Sequence, residues 1–422
     1  MMKKGLRWVV MGLGMAIIMV AAGWCVWNAV AGARLRGTLK ELGDRGLPLR
    51  VEEVWSPAVP DRDNAALLLN LAFLLMAGGK NEPGARLPAL KELEAISADA
   101  VRGRPLGEEG EAIQKKLEAP EIREILGLLH RAAERPGCDF GLDYSLGAEL
   151  PMPHIAGMRT AARLLAQEAW AKACQGDGEG ATRSIRAGLR IGGFSLSEGL
   201  LISFLVGASC DAATVDWAGA ALGQLAAGVI SPDELGALSG DLAERRTRIR
   251  PAFVRTVDVE RLTLGTWAFE GLLANRTLMS RLLAPLWEAA STSDKGLVRA
   301  RALDAYAWVG RPLLKEDYAA YLRLMCRFRE LAAQPYEFAA AAEFDRLIGE
   351  LPRMAILTRM TVPAYGTCMN QAGQYEALMD IARAGLALEA HRARAGAYPE
   401  RLADAPGIGD LARDPFSGGE LI

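Results

Sequence analysis

Histidine is nearly absent from this chain of 422 residues, which has only His130, His154 and His391. Three isolated imidazoles are few for an enzyme built on imidazole chemistry, and each reads as structural or exposed. The six cysteines, Cys25, Cys138, Cys174, Cys210, Cys326 and Cys368, never form a CxxC pair. That spacing excludes zinc-ribbon and thioredoxin-type chemistry. Five of them lie beyond the apolar N-terminus, an odd number, so at most two intrachain disulfides are possible and buried free thiols are expected. A formal net charge of −2 excludes a global basic field for nucleic acid.

The common motifs of catalysis are also missing. HExxH and the P-loop do not occur, and Gly12 and Gly14 belong to an apolar run, not to a dinucleotide fingerprint. Gly193-Phe194-Ser195-Leu196-Ser197 approaches a nucleophile elbow, but Ser197 replaces its last glycine and two helices flank it. Asp61, Asp63 and Asn64 mimic the start of a calcium loop. Ala66 and Ala72 stand where that loop needs glycine and its bidentate glutamate, so no calcium is expected. No catalytic, cofactor-binding or metal-ligating residue is nominated from the sequence.

What is present begins with the N-terminus. Lys3, Lys4 and Arg7 precede a stretch from Trp8 to Ala33 without a charged residue. About 20 apolar residues cross the hydrocarbon core, so residues 8–33 can span a bilayer. Trp8 and Trp27 would lie roughly 29 Å apart on a helix rising ~1.5 Å per residue, the spacing of two aromatic belts. Ala29-Val30-Ala31 would suit a cleavage site, yet the apolar stretch is longer than that of a signal peptide. The expectation is a retained single-pass anchor, with the lipid bilayer as one partner. A short basic tail of this kind stays in the cytoplasm, placing the domain on the periplasmic side.

The chain then divides into residues 1–45 (anchor and juxtamembrane segment), 46–380 (a helical ectodomain) and 381–422 (a helix and tail). The fold class expected is all-α: a transmembrane helix, then antiparallel α-hairpins, then a short turn or β element. Asn64 or Asp61 can cap a helix over Ala65–Met76, and Pro120 opens another carrying Ile122, Ile125, Leu126 and Leu129. Gly176 suits a left-handed helix end and Asp177 the next N-cap, which predicts a hairpin resembling one tetratricopeptide-type unit without a repeat.

Leu200–Leu222 is apolar enough for a second span. Asp211 and Asp216 inside it favour a core helix. Ser231-Pro232-Asp233-Glu234 is a helix start leading into Arg245, Arg246, Arg248, Arg250 and Arg255. The interleaved Asp241, Glu244, Asp258 and Glu260 predict a solvated, salt-bridged face there, in preference to one that meets phospholipid or another polyanion. Leu278, Met279, Leu282, Leu283 and Leu286 form a stripe beside Trp287, read as core-facing. Glu168 is expected to pair with Lys172 one helical turn on.

The C-terminal segment carries Leu386, Leu388, then Gly396-Ala397-Tyr398-Pro399-Glu400, Leu402 and Asp414-Pro415-Phe416-Ser417-Gly418. This order resembles the segment after the helix in type II secretion pseudopilins, which implies a turn leading into sheet. Pseudopilins continue into a calcium-bearing sheet beyond the point matching Ile422, so the tail reads as an incomplete version of theirs and no calcium ligand carries over. Lys3-Lys4-Gly5 mimics a prepilin cleavage site, but Val10 stands where pilins have glutamate. Pro60-Asp61, Asn64-Ala65-Ala66 and Gly176-Asp177 are similar to elements of a group of uncharacterised bacterial signal-anchored helical proteins.

Three functional expectations follow. The first is a non-enzymatic, membrane-anchored scaffold or interaction module with a protein partner in the envelope. The second is a pseudopilin-like subunit. The third is an envelope hydrolase, which would require Glu168 or Glu260 to meet a carboxylate or histidine in a deep pocket.

Overall fold

A computed structural model describes residues 2–55, 58–79, 86–102, 108–225, 229–274, 310–336, 338–362, 364–412, 416 and 419. The 278–287 stripe, and residues 413–415, 417–418 and 420–422 of the tail, lie outside them. Every regular element described is helical, and a lone bridge between Asn64 and Gly137 is the only sheet-like pairing among the described residues.

The helices are α1 (Met2–Asp44), α2 (Ala65–Met76), α3 (Pro88–Glu94), α4 (Ala98–Val101), α5 (Glu108–Leu117) and α6 (Pro120–Ala133). Then come α7 (Ile155–Cys174), α8 (Gly178–Ser197), α9 (Leu201–Leu222), α10 (Pro232–Glu260) and α11 (Trp267–Ala274). Last are α12 (Arg311–Ala333), α13 (Phe338–Glu350), α14 (Ile356–Thr361) and α15 (Ala364–Ala395). Between α10 and α11 one turn widens to π geometry over Arg261–Thr266.

Helix α1 has two halves with different surroundings. Its apolar first half is long and hydrophobic enough to cross a membrane and is not buried against the domain at all. Its second half buries Ala31, Leu35, Thr38 and Leu42, a stripe at helical spacing, against α12. The juxtamembrane residues therefore belong to the core. Helix α1 ends where Gly46 takes φ +69°, a conformation that favours glycine.

The centre is α7, α8 and α9 packed on one another, with α10 lying along α15 beside them. Gly176 adopts φ +76° and Asp177 caps α8 by accepting from the Gly180 amide at 2.8 Å, which turns the α7–α8 hairpin. Ser231 likewise caps α10 by accepting from the Glu234 amide at 3.1 Å. Asn64 does double duty. It caps α2 through the Ala66 amide, and its side chain pairs with both backbone groups of Asp139, each at 2.9 Å.

Helix α9 passes the same length and composition test as α1, but 44% of its apolar window is buried inside the domain. It crosses α8 closely. A Cβ on Gly207 would lie 2.9 Å from the Gly192 carbonyl, and a Cβ on Gly192 would run into Asp211. Helix α15 runs unbroken through residue 380. Gly396 at φ +80° ends it, and Tyr398 folds back to donate to Glu389 at 2.5 Å. The described part of the tail continues as short 3-10 turns, with Ala405 and Ile408 buried and the Phe416 ring 5.2 Å from that of Tyr336. No strand of the expected pseudopilin-like kind forms among the described residues.

Candidate functional site

The arginine run of α10 is committed mostly to other helices. Arg245 pairs at 3.0 Å with Asp211 of α9. Arg246 reaches Glu376 at 3.3 Å and Asp380 at 3.0 Å on α15, and Arg250 also pairs with Glu376. Arg255 donates to the carbonyls of Ser197 and Val54. The face is salt-bridged, but it is not a solvated one, since Arg245 is only 11% exposed, and most of its acids come from other helices. Of the interleaved acids only Glu244 serves the run, through Arg248, whereas Asp241 pairs with Arg186 at 2.7 Å and Asp258 with Arg329 at 2.7 Å. Glu260 has no cation at all among its described contacts; it accepts from the Leu201 amide at 2.7 Å.

Between α6, α8 and α10 lies a cleft of about 380 Å³. Arg183, Arg186 and Arg190 recur at helical spacing along the α8 wall, with Arg245 and Arg248 opposite on α10 and His130 at the α6 edge. Arg183 is neutralised by Glu179 at 2.7 Å, Arg186 by Asp241, and Arg248 by Glu244. Arg190 differs. It donates to the carbonyls of Arg135 at 3.1 Å and Pro136 at 2.7 Å, and its guanidinium sits 5.0 Å above the Phe194 ring. No carboxylate pairs with it among the described residues. Burial, and then the charges of Arg245 and Arg248, push its pKa below the ordinary guanidinium value. A cation in that position favours an incoming anion.

His130 is not isolated. Its Nε2 lies 2.6 Å from Glu168 Oε2, which also accepts from Ser184 Oγ at 2.9 Å, while Lys172 binds Oε1 at 3.0 Å. The Glu168–Lys172 pair is present, and the histidine is an addition the sequence did not reveal. Burial alone would raise the Glu168 carboxyl; the hydrogen bond and charge of His130, with Lys172, outweigh it and hold the group below the usual range. These residues sit on three helices, 38 and 16 positions apart, so no local spacing announces them.

The other polar clusters are enclosed. His154 lies 3.0 Å from Glu198, beneath the stacked Phe140 ring at 4.1 Å, and Ser203 donates to the same carboxylate. Here the acid is central and the serine does not touch the imidazole, the reverse of a nucleophile relay. Ser195, of the elbow-like sequence, is fully buried inside α8. All six cysteines carry free thiols, and burial pushes Cys174 and Cys368 up to about 11, so they stay protonated and unreactive near neutrality. Among the described residues no three His, Cys, Asp or Glu side chains converge as a metal site.

A larger groove of about 890 Å³ lies on the other face of α10, beside Trp55. Its arginines are those already tied to Glu376, Asp380, Asp258 and backbone carbonyls. Comparison with known protein families, with curated proteins and with solved structures finds no match.

Proposed function

We propose that this chain is a membrane-anchored helical interaction module whose α6–α8–α10 cleft accepts an acidic segment of a protein partner in the envelope. Arg190 carries the reading: it is a half-buried guanidinium beside two others, and no carboxylate pairs with it among the described residues. The continuous α1 supports anchoring, since its apolar window is not buried against the domain and its second half is fixed to the core. The basic N-tail favours a periplasmic domain, and protease accessibility in intact cells tests that side.

Titration of the detergent-solubilised chain with a hexaglutamate peptide by calorimetry checks the cleft. Charge-assisted hydrogen bonds contribute about 1.5–3 kcal/mol each, so Arg190→Ala should weaken binding at least about tenfold. Arg190→Lys should fall between the two, and Arg353→Ala, at an exposed position elsewhere, should change nothing. Binding that ignores Arg190, or no saturable binding by the wild type, would sink the reading.

A hydrolase is the second reading, favoured by the His130–Glu168 pair at the cleft edge, which has the form of a base and its orienting acid. It requires saturable esterase or phosphatase turnover by the full chain. Kinship of the tail to pseudopilins rests on the order Tyr398-Pro399, Leu402 and Asp414-Pro415-Phe416, and it requires cutting after Gly5 by prepilin peptidase.

A further inference from the structure

Helices α1 and α12 run side by side in the same direction. Lys315 bonds Asn28, Arg323 donates to Thr38, and Glu330 pairs with Arg45. The start of α12 is therefore level with the point where α1 leaves the domain. At that level Gly32 is buried, and a Cβ built on it would lie 3.3 Å from Lys315 Nζ and 3.4 Å from Arg36 Nη1. The two cations thus meet across a bare glycine within about 7 Å of each other, close enough for appreciable repulsion.

Nothing described neutralises them. Lys315 Nζ spends its hydrogen bonds on Asn28, at 2.8 Å to the side-chain oxygen and 3.3 Å to the carbonyl, both uncharged. Glu316, the neighbouring acid, is occupied by Arg34 at 3.1 Å and by the Trp27 indole at 3.3 Å. No carboxylate pairs with Arg36, Lys315 or Arg311 among the described residues. Burial, then the charges of Arg311 and Arg36, hold the Lys315 ammonium below its ordinary pKa. Five residues separate Gly32 from Trp27, roughly 8 Å along the helix, so the cations stand at the depth where an aromatic belt meets headgroups.

We propose that this collar binds the headgroup phosphate of an anionic phospholipid, gripped between Arg36 and Lys315 with Arg311 adding to the field. The proposal rests on the anchor reading above. The lipid phosphate supplies the missing counter-charge, and its acyl chains lie along the exposed apolar face of α1. Bound there, the lipid would fix the domain's orientation on the membrane, because α12 is bonded to α1 at Asn28, Thr38 and Arg45.

The full chain, reconstituted in nanodiscs containing equal phosphatidylcholine and phosphatidylglycerol, is released into mild detergent and its retained lipids are measured by native mass spectrometry. Wild type should retain phosphatidylglycerol in preference to phosphatidylcholine. Each cation removed in Arg36→Gln and Lys315→Gln should lower that preference about five-fold, and Lys315→Arg should keep it. Thermal melts of the same samples identify any variant that is simply misfolded, in which case Lys315→Arg against wild type and the Arg36→Gln single variant decide. Equal retention of both lipids by wild type overturns the proposal, as does a preference indifferent to both cations, or displacement of the lipid by millimolar inorganic phosphate. Release of the chain from membranes by carbonate would instead defeat the anchor reading, and the lipid preference in detergent would stand or fall separately.

Discussion

Asp211→Ala should cost the folded domain about 3–5 kcal/mol, the largest single loss expected here, because it strands a buried charge. Asp211 is fully buried at the middle of α9, where it pairs with Arg245 at 3.0 Å and accepts from the Tyr375 hydroxyl. Three helices, α9, α10 and α15, are tied at that one carboxylate, and α8 approaches it through Gly192. Removing it leaves a guanidinium that is 11% exposed with only the Leu189 carbonyl as a partner, and a buried phenol with none described. Desolvation already offsets much of the pair's attraction, so replacing both charges should be far milder. Asp211→Leu combined with Arg245→Met is expected to return to within about 1–2 kcal/mol of wild type. Urea unfolding of the single and double variants checks this. A single variant losing under about 1 kcal/mol would mean the pair is not the knot it looks like.

That pair also marks the limit of what the sequence made legible. Signals carried within one or two turns were readable: Asp177 and Ser231 as caps, Asn64 as one of two candidates for another, Gly176 as a helix end, and the apolar stripe of α6. They depend on neighbours in the chain, whose geometry is fixed by the helix itself. An acid inside apolar α9 was enough to argue for a core helix. Its partner was not visible, because Arg245 lies 34 positions on and periodicity identifies faces without saying which faces meet. The same gap hid Glu376 and Asp380 from the arginine run, and His130 from Glu168. Likewise the pattern Ala31, Leu35, Thr38, Leu42 is clear once known, yet it straddles the end of the apolar span, and residues beyond Ala33 read as a juxtamembrane segment rather than as core. The cleft was least legible of all. Its distinguishing residue, Arg190, stands out only by lacking a carboxylate, and absence of a tertiary partner leaves no mark in a sequence.

Glu260 should make the domain lose stability as pH rises, the opposite of what most paired carboxylates do. Burial lifts its pKa from 4.5 to about 7, partly offset by the hydrogen bond from the Leu201 amide. The side chain is buried, faces no cation, and has one oxygen without a described partner. Below pH 4.5 the carboxyl is protonated in both folded and unfolded chains, and its contribution is fully present. Between 4.5 and about 7 the unfolded chain releases the proton while the folded domain keeps it, so folding becomes progressively less favourable. At 1.36 kcal/mol per pH unit that window amounts to about 3 kcal/mol, lost by the time pH passes the folded value. Glu260→Gln keeps an acceptor for the Leu201 amide and removes the titration. It should leave stability unchanged near pH 4 and raise it by about 3 kcal/mol at about pH 8, flattening the slope between. Denaturant unfolding of wild type and variant across this range tests the sign as well as the size. Parallel pH profiles would show that Glu260 ionises in the folded domain at its ordinary value.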